Sequence, residues 1–161
     1  MPLFQAKQVL LQKAIPAAMS GVDLVPITGE FVVPAGLALN DVIEMGGIPA
    51  GHVPVDFILH APDMDSNGTP LIALDAGIIT GRFGDPVLGT RACGTEFLTA
   101  SQVARTGGIA RLDKSLGGVL PSLVERGWGL KVQAAAATLA VGGTIRATLF
   151  CEPAPNGMAF A

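Results

Sequence analysis

Glycine and proline interrupt this chain so often that its apolar segments stay short. The 161 residues include 21 glycines and 12 prolines. The segments between them alternate apolar and polar side chains, as at 41–45 and 53–60. Alternation with a period of two, with turn residues every ~8–12 residues, is typical of β-sandwiches and barrels. We therefore predict an all-β fold in one domain: a single β-sandwich, jelly-roll-like, or a β-barrel.

Composition divides the chain into three parts. Residues 1–20 mix apolar residues with Gln and Lys before Gly21, which indicates an N-terminal arm, either helical or extended. Residues 21–153 form the predicted β-sandwich domain and include a long Gly-rich excursion at 80–127. Residues 154–161 follow Pro153 as a C-terminal tail. Within the excursion we predict short helices near 99–105 and 121–126.

Two strand pairs are predicted as hairpins because turn signals separate alternating segments. In the first, residues 57–60 and 71–79 flank Asn67-Gly68. In the second, residues 128–133 and 144–150 flank Gly142-Gly143. Asn-Gly and Gly-Gly supply the positive φ angles of tight turns. The alanine-rich segment 134–137 is predicted as strand and loop rather than helix, because it lacks a clear cap.

The charge content excludes several classes of protein. The chain is 50% apolar and 14% charged, with a net charge of −3. A disordered chain has the opposite balance, and a phosphate-contacting nucleic-acid binder carries a basic excess. No uncharged, uninterrupted run reaches the ~20 residues of a membrane helix, and no secretion signal is visible. We expect a soluble protein without membrane or nucleic-acid partners, whose apolar surface is covered by other proteins.

The segment from Asp63 to Gly68 matches the first half of a calcium-binding loop. Asp63, Asp65 and Asn67 stand at ligand positions 1, 3 and 5, followed by the glycine at 6. Position 12 is Leu74 instead of the bidentate Glu, and Asp75 is one place late. The alternative is a polar turn whose Asp and Asn side chains bond the backbone. We favour that alternative and predict no metal site.

The two histidines are the candidates for acid–base chemistry. His60 is near Asp56 and Asp63 along the chain, and a histidine beside a carboxylate can act as a general base. His52 is the other histidine. The chain has neither a Gly-x-Ser-x-Gly elbow nor a phosphate-binding glycine loop. We expect no catalytic residues, no cofactor and no enzymatic activity.

Other chemistry-bearing residues have structural interpretations. Cys93 and Cys151 lack zinc-type spacing and are predicted to be small buried side chains, although one disulfide is an alternative. Trp128 is predicted to anchor the core or an interface. Four arginines in the excursion form either a partner-facing cluster or separate solvated charges: Arg82, Arg91, Arg105 and Arg111.

Six segments together resemble small structural proteins of tailed bacteriophages. They are ALNDVIEMG (38–46), IPAGHVPVD (48–56), DMDSNGTP (63–70), GTEFLTAS (94–101), RGWGLKV (126–132) and GTIRATL (143–149). The resemblance covers residues 36–151 and consists of turns and strands, so it carries over no catalytic or ligand residues. Residues 1–20 lie outside it.

The resemblance implies a virion protein of the capsid decoration, or cement, type. Such proteins are β-sandwich or jelly-roll subunits, often homotrimers, on the outer capsid surface. The implied partners are the major capsid protein and further copies of this chain. The implied location is the virion, assembled in the host cytoplasm. A separable arm could reach a neighbouring subunit, so we expect residues 1–20 to lie on an adjacent protein.

Three alternatives remain open at this point. In the first, the chain is another virion component, such as a tail-tube or head-completion protein. In the second, it is a calcium-dependent β-sandwich binding module that uses the Asp63 loop. In the third, it is a small β-barrel enzyme or ligand-binding module that uses His52 or His60.

Overall fold

The strands of this protein form two facing sheets, and all consecutive strands except the fifth and sixth lie in different sheets. The computed structural model describes residues 3–10, 24–85, 90–155 and 158–161. A one-turn helix α1 (Lys7–Leu10) follows the first strand, and a single 3₁₀ turn spans Val103–Arg105. The strands are β1 Leu3–Gln5, β2 Val25–Val32, β3 Val42–Ile48, β4 His52–Ala61, β5 Ala73–Arg82, β6 Leu98–Ser101, β7 Gly108–Arg111, β8 Arg126–Ala134 and β9 Thr144–Pro153.

The strand order is that of a jelly roll. One sheet, here called the open sheet, has the order β2-β9-β4-β7. The other, here called the covered sheet, has the order β1-β3-β8-β5-β6. All pairs are antiparallel except β1, which runs parallel to β3. The sheets pack as a sandwich without closing, so the predicted β-sandwich is confirmed and the barrel alternative is wrong.

The core between the sheets is built on an aromatic cluster. Phe57 of the open sheet stacks on Phe97 with ring centroids 5.2 Å apart, and it meets the edge of Trp128 at 6.0 Å. All three side chains are fully buried. Trp128 therefore anchors the core, which is one of the two roles predicted for it. Inward-facing aliphatic residues on alternate positions complete this core, as period-two alternation predicts.

Both predicted hairpins are wrong. β4 lies in the open sheet and β5 in the covered sheet, so the chain crosses between sheets after Ala61 instead of folding back. In the same way β8 lies in the covered sheet and β9 in the open sheet. Asn67-Gly68 and Gly142-Gly143 do lie in these two connections. Turn residues mark where a chain reverses, but the partner of the returning strand depends on tertiary packing.

Of the two helices predicted in the excursion, the first is reduced to the 3₁₀ turn at 103–105 and the second is wrong. Residues 98–101 form the edge strand β6, and only the single 3₁₀ turn follows it. Residues 121–125 are irregular instead of helical, and Arg126 is the first residue of β8. The alanine-rich segment is confirmed as strand and loop, since β8 ends at Ala134. Strand pairing with β5 overrides the local helix signals in 98–101.

The first residues belong to the sandwich where they are described. β1 extends the covered sheet beside β3, and Ala6 and Val9 are buried in the core. The amide of Ala6 donates a hydrogen bond to the carbonyl oxygen of Glu44 at 2.7 Å. Residues 3–10 thus pack on their own domain, in contrast to the predicted separable arm. Residues 1–2 and 11–20 of that arm lie outside the described residues, so its boundary stays a prediction.

The covered sheet is buried on both faces, because residues 83–85 and 90–97 of the excursion pack over it. β3 is buried at all seven positions. The covering segment comes very close to the sheet, where glycines occupy the outward face of β5 and β8. A Cβ on Gly77 would overlap the backbone of Gly94, and a Cβ on Gly127 would overlap the Glu44 carboxylate. These strand glycines therefore mark close backbone approach.

A buried ion pair fastens this covering segment to the sheet. Arg91 Nη2 lies 2.6 Å from Glu44 Oε1, and both side chains are almost completely buried. Glu44 also accepts hydrogen bonds from Gln5 Nε2 on β1 and from the amide of Gly84. Arg91 Nε donates to the carbonyl oxygen of Thr80 at 2.9 Å. The pair therefore links β1, β3, β5 and the excursion.

Replacing Gly129 with alanine should destabilise the fold by about 1–3 kcal/mol, the usual range for overpacking. Its Cβ would overlap the carbonyl oxygen of Ile43 on the neighbouring strand. Denaturant unfolding of Gly129→Ala measures the change. Gly118→Ala is the matched control, because its Cβ would meet nothing within 4 Å. Equal stability of the two variants would contradict the close approach described for β8.

Replacing Arg91 with methionine should lower the free energy of unfolding by about 3–5 kcal/mol, because the buried Glu44 carboxylate loses its counter-ion. The double variant Glu44→Gln/Arg91→Met removes both charges and should recover part of the loss. Urea unfolding of the three proteins measures both changes. A double variant no more stable than Arg91→Met would show that packing, rather than charge, holds the covering segment.

Candidate interaction surfaces

Asp65 joins the two connections that cross between the sheets. Its buried carboxylate accepts hydrogen bonds from the amides of Leu71 and Ile72 in its own connection. It also accepts bonds at 2.8 Å from the amides of Ala137 and Thr138 in the connection from β8 to β9. Asp65 therefore fixes one loop against the other at this end of the sandwich.

The same hydrogen bonds determine the ionisation of Asp65. Burial acts to raise the pKa of this carboxyl, but the four backbone donors outweigh burial and hold the pKa well below its ordinary value of 3.8. The charged form is thus the one that the folded protein stabilises. The carboxylate serves as an internal acceptor for backbone groups that strand pairing leaves unsatisfied.

The side chains of the calcium-like segment bond the backbone, as the favoured alternative predicted. Asp63 Oδ1 accepts from the amide of Asp65, and Asn67 Oδ1 accepts from the amide of Thr69. Among the described residues, no three His, Cys, Asp or Glu side chains come together in a group that could hold a metal ion. The predicted polar turn is therefore confirmed, although it lies in a cross-sheet connection and not in a hairpin.

The histidines are placed apart from the carboxylates considered with them. His60 is exposed on β4 opposite Arg146 of β9. Asp56 instead lies 3.6 Å from Arg111 in a solvent-exposed ion pair. His52 is buried at the start of β4, where its Nδ1 lies 3.0 Å from the carbonyl oxygen of Ala50. The structure does not bring a histidine–carboxylate pair together at these positions.

The four arginines of the excursion are not a cluster. Arg91 is buried against Glu44, and Arg105 Nε donates to the carbonyl oxygen of Ile72. Arg111 lies on the edge strand β7 and Arg82 ends β5. The alternative of separate charges is confirmed, with the difference that Arg91 is buried instead of solvated.

Cys93 and Cys151 are buried and free, as predicted. Burial raises the pKa of each thiol to about 12, and Glu96 adds to this effect at Cys93 while Arg126 opposes it at Cys151. The thiolate is the nucleophilic and metal-binding form of cysteine. Both thiols therefore stay protonated and act as packing groups near neutral pH.

One end of the sandwich, here called the loop end, is formed by the connections from β2 to β3, from β4 to β5 and from β8 to β9. Val33 exchanges hydrogen bonds with Gly142 and Gly143, and Thr138 bonds residues of the Asp65 connection. The three connections thus form one ordered surface. Four large aliphatic side chains of this end are exposed: Val32, Leu39, Leu71 and Val141.

The opposite end, here called the tail end, is made by residues 112–125 and the last residues of the chain. The amide of Ala161 donates to the carbonyl oxygen of Pro121 at 2.9 Å, and Ser122 accepts from the amide of Gly51. Arg126 Nη2 donates to the carbonyl oxygen of Leu120, and burial lowers the pKa of this guanidinium. Four large apolar side chains are exposed here: Leu120, Leu123, Val124 and Phe160.

Sequence reasoning missed the tail end as an interaction surface. We assigned residues 121–126 to a helix, which would have turned part of this segment inward. The signal was present in the ten residues 115–124, which contain no charged side chain. A stretch of this kind in a loop exposes apolar groups, because a loop has no second face to bury them.

The outward face of the open sheet is polar by contrast. Glu30 and Arg146 form an exposed ion pair with N and O atoms 2.6 Å apart, and the hydroxyls of Thr28 and Thr148 bond each other. Exposed pairs of mixed sign add little stability but keep a sheet face compatible with water. No helix among the described residues is long and apolar enough to cross a membrane.

A jelly roll with a polar sheet face and two apolar ends belongs to a class of fold common in viral capsid and lectin domains. The structure is similar to a chain in the capsid of Ralstonia phage GP4, with a TM-score of 0.88 and 32% sequence identity over 96% of this chain and 99% of that one. It is also similar in fold to a chain of the cyanophage Pam1 capsid asymmetric unit, with a TM-score of 0.67 and 23% identity over 88% and 92% of the two chains. No family model and no curated protein matches the sequence.

The identity to the GP4 chain extends over nearly the full length of both proteins. The protein therefore belongs to this family of phage capsid proteins. It is a virion structural protein, associated with capsid proteins in the virion. The resemblance to phage structural proteins, inferred from turns and strands in the sequence, is confirmed.

Replacing Asp65 with asparagine should lower the melting temperature near neutral pH and reduce its pH dependence in acid. Because the folded protein lowers the pKa of Asp65, its contribution is full above the ordinary value of 3.8 and declines as the pH falls below it. Melting curves between pH 7 and pH 2 measure this, with Asp63→Asn as the control at an exposed position. Parallel curves for native and Asp65→Asn proteins would contradict the assignment.

Proposed function

We propose that this protein is a capsid decoration protein that binds the outer surface of the phage shell and cements neighbouring capsomers. Its partners are the major capsid protein and two further copies of itself. The observation that carries the proposal is the match over nearly all of both chains to a component of the GP4 capsid. Composition supports it, since 50% apolar and 14% charged residues suit a chain with much of its surface against other proteins.

The distribution of polar groups supports placement on the outside of the shell. The open sheet presents its ion pairs and paired threonines to water. The two ends expose aliphatic side chains on ordered loops. A protein with one polar sheet face and two apolar ends can contact neighbouring subunits through its ends while the sheet face remains in solvent. Repetition of such contacts over a shell multiplies a modest contact area of ~1,600 Å² per interface.

We also propose that the role is structural, without catalysis, cofactor or metal. The buried carboxylates of the described residues are occupied by structural hydrogen bonds and ion pairs: those of Asp41, Glu44, Asp65 and Asp75. The two thiols are protonated near neutral pH. These groups have the side-chain chemistry that an active site would use, and each supports the fold instead.

Shells of the parent phage assembled without this protein provide the direct test. We expect purified protein to bind these shells until it reaches a fixed copy number per shell, which the symmetry of the shell determines. Binding should also raise the temperature at which the shells open. Electron microscopy and shell melting measure the two effects. The matched control is an equal concentration of protein unfolded by heat and cooled.

Two results would overturn the proposal. Absence of binding at micromolar concentration would exclude a decoration role. Polymerisation of the free protein into tubes, or binding confined to a single vertex of each shell, would instead indicate a tail-tube or head-completion protein.

A further inference from the structure

Two arginines face each other across neighbouring strands at the tail end. Arg82, the last residue of β5, is paired in register with Arg126, the first residue of β8, and the two are here called the arginine pair. Residues directly opposite each other in an antiparallel pair lie on the same face of the sheet, with Cβ atoms ~4.5–5.5 Å apart. Like charges in this arrangement destabilise a sheet, so the arginine pair has a reason other than folding.

No carboxylate of the described residues neutralises the arginine pair. The ion pairs of the described residues use other cations. Asp85 and Glu125 are close to the arginine pair along the chain, but no ion pair joins either of them to it. Glu96 acts on Arg126 electrostatically, but its Oε2 accepts the amide of Ile78 at 2.9 Å. Two positive charges therefore lie side by side without a counter-ion from the described residues.

Arg126 is also incompletely hydrogen-bonded. Its Nη2 donates to the carbonyl oxygen of Leu120 at 2.8 Å, but its Nε is buried and has no acceptor among the described residues. Burial lowers the pKa of this guanidinium, because burial disfavours the charged form. An unsatisfied buried donor on a charged group is costly for a folded protein. The site therefore lacks a negatively charged acceptor.

A carboxylate is the acceptor that suits two neighbouring guanidinium groups. Guanidinium forks bind carboxylates through parallel hydrogen bonds of fixed geometry. Arg82 is exposed, so a group from outside the chain can reach the arginine pair. Large apolar side chains are exposed on the same end: Leu120, Leu123, Val124 and Phe160. Apolar groups that exclude water strengthen a charge pair, so the site suits a carboxylate carried by another protein surface.

Electrostatics favours a capsid protein over a second copy as the source of this carboxylate. Two copies with a net charge of −3 each repel one another at long range. A two-fold contact through the tail end would also bring two arginine pairs together, since such a contact uses the same patch on both copies. The protein is associated with capsid proteins in the virion, and an acidic side chain on one of them meets neither obstacle.

We propose that the arginine pair binds an acidic side chain of the major capsid protein, so that the tail end faces the shell. This inference rests on the proposed function. In the free protein the two guanidinium groups repel each other, and the bound carboxylate replaces that repulsion with two ion pairs. Residues that break a local rule of stability are expected at functional sites. The free protein is therefore less stable than it could be, for the sake of a contact made on the shell.

The first measurement is the melting temperature of the free protein at low salt. Arg82→Gln removes one charge of the pair, and Arg82→Glu places a carboxylate opposite Arg126 within the same chain. Arg82→Gln should melt about 1–3 °C above the native protein, and Arg82→Glu higher still. The matched controls are Lys114→Gln and Lys114→Glu, which change the net charge equally at an exposed cation of the same end. The controls should not melt above the native protein.

The second measurement is binding to shells assembled without this protein, by co-sedimentation. Both Arg82 variants should bind at least about 10-fold more weakly than the native protein, as expected when one partner of a charge pair is lost. The two Lys114 variants should bind as the native protein does. Higher stability combined with weaker binding distinguishes a binding residue from a structural one, whose loss lowers both.

The outcomes separate this inference from the proposed function. A native protein that does not bind shells would overturn the proposed function, and the inference with it. Native-like binding by the Arg82 variants, or equal weakening in the Lys114 variants, would overturn the inference alone. Arg82→Gln melting below the native protein would give the arginine pair a structural role. A change of mass by light scattering in Arg82→Gln would assign the pair to a contact between copies, and each of these two results also overturns the inference.

Discussion

The ion pair between Glu44 and Arg91 is the interaction on which the covered sheet depends. Glu44 lies in the second strand from the sheet edge, and its carboxylate accepts hydrogen bonds from Gln5 of β1 and from Arg91 of the excursion. Without these partners a charged group would be buried alone, at a cost of several kcal/mol. The pair therefore holds the described parts of the covering segment, at Gly84 and Arg91, on the sheet and holds β1 at its edge.

Covering one sheet limits the surfaces that remain for interactions. The outward face of the covered sheet is occupied by its own chain, and residues 3–10 pack against β2 and β3 near the edge. The open sheet and the two ends remain. Because the open sheet carries paired charges and the loops of both ends expose large apolar side chains, the fold itself separates a water-compatible face from more apolar ones.

The sequence was sufficient to predict the fold class but not the pairing of its strands. Alternation placed Trp128, Leu130 and Val132 on one face, and the structure buries all three. Local turn residues at 67–68 could not show that Asp65 would bond amides more than 70 residues away. Glycines on β8 were part of an alternating strand pattern, yet a Cβ on Gly127 would overlap the Glu44 carboxylate and one on Gly129 the carbonyl oxygen of Ile43. Such long-range contacts leave no local signal.

The low charge of the chain has one explanation that joins fold and surface. Four carboxylates of the described residues are buried and used inside the fold: Asp41, Glu44, Asp65 and Asp75. On the open sheet, Glu30 pairs with Arg146 and Asp56 with Arg111 across neighbouring strands. Loops are normally the most polar parts of a protein, since they carry exposed backbone to water. Large apolar side chains exposed on the loops of both ends reverse this pattern. In a virion protein, contact with neighbouring proteins costs least desolvation at such side chains.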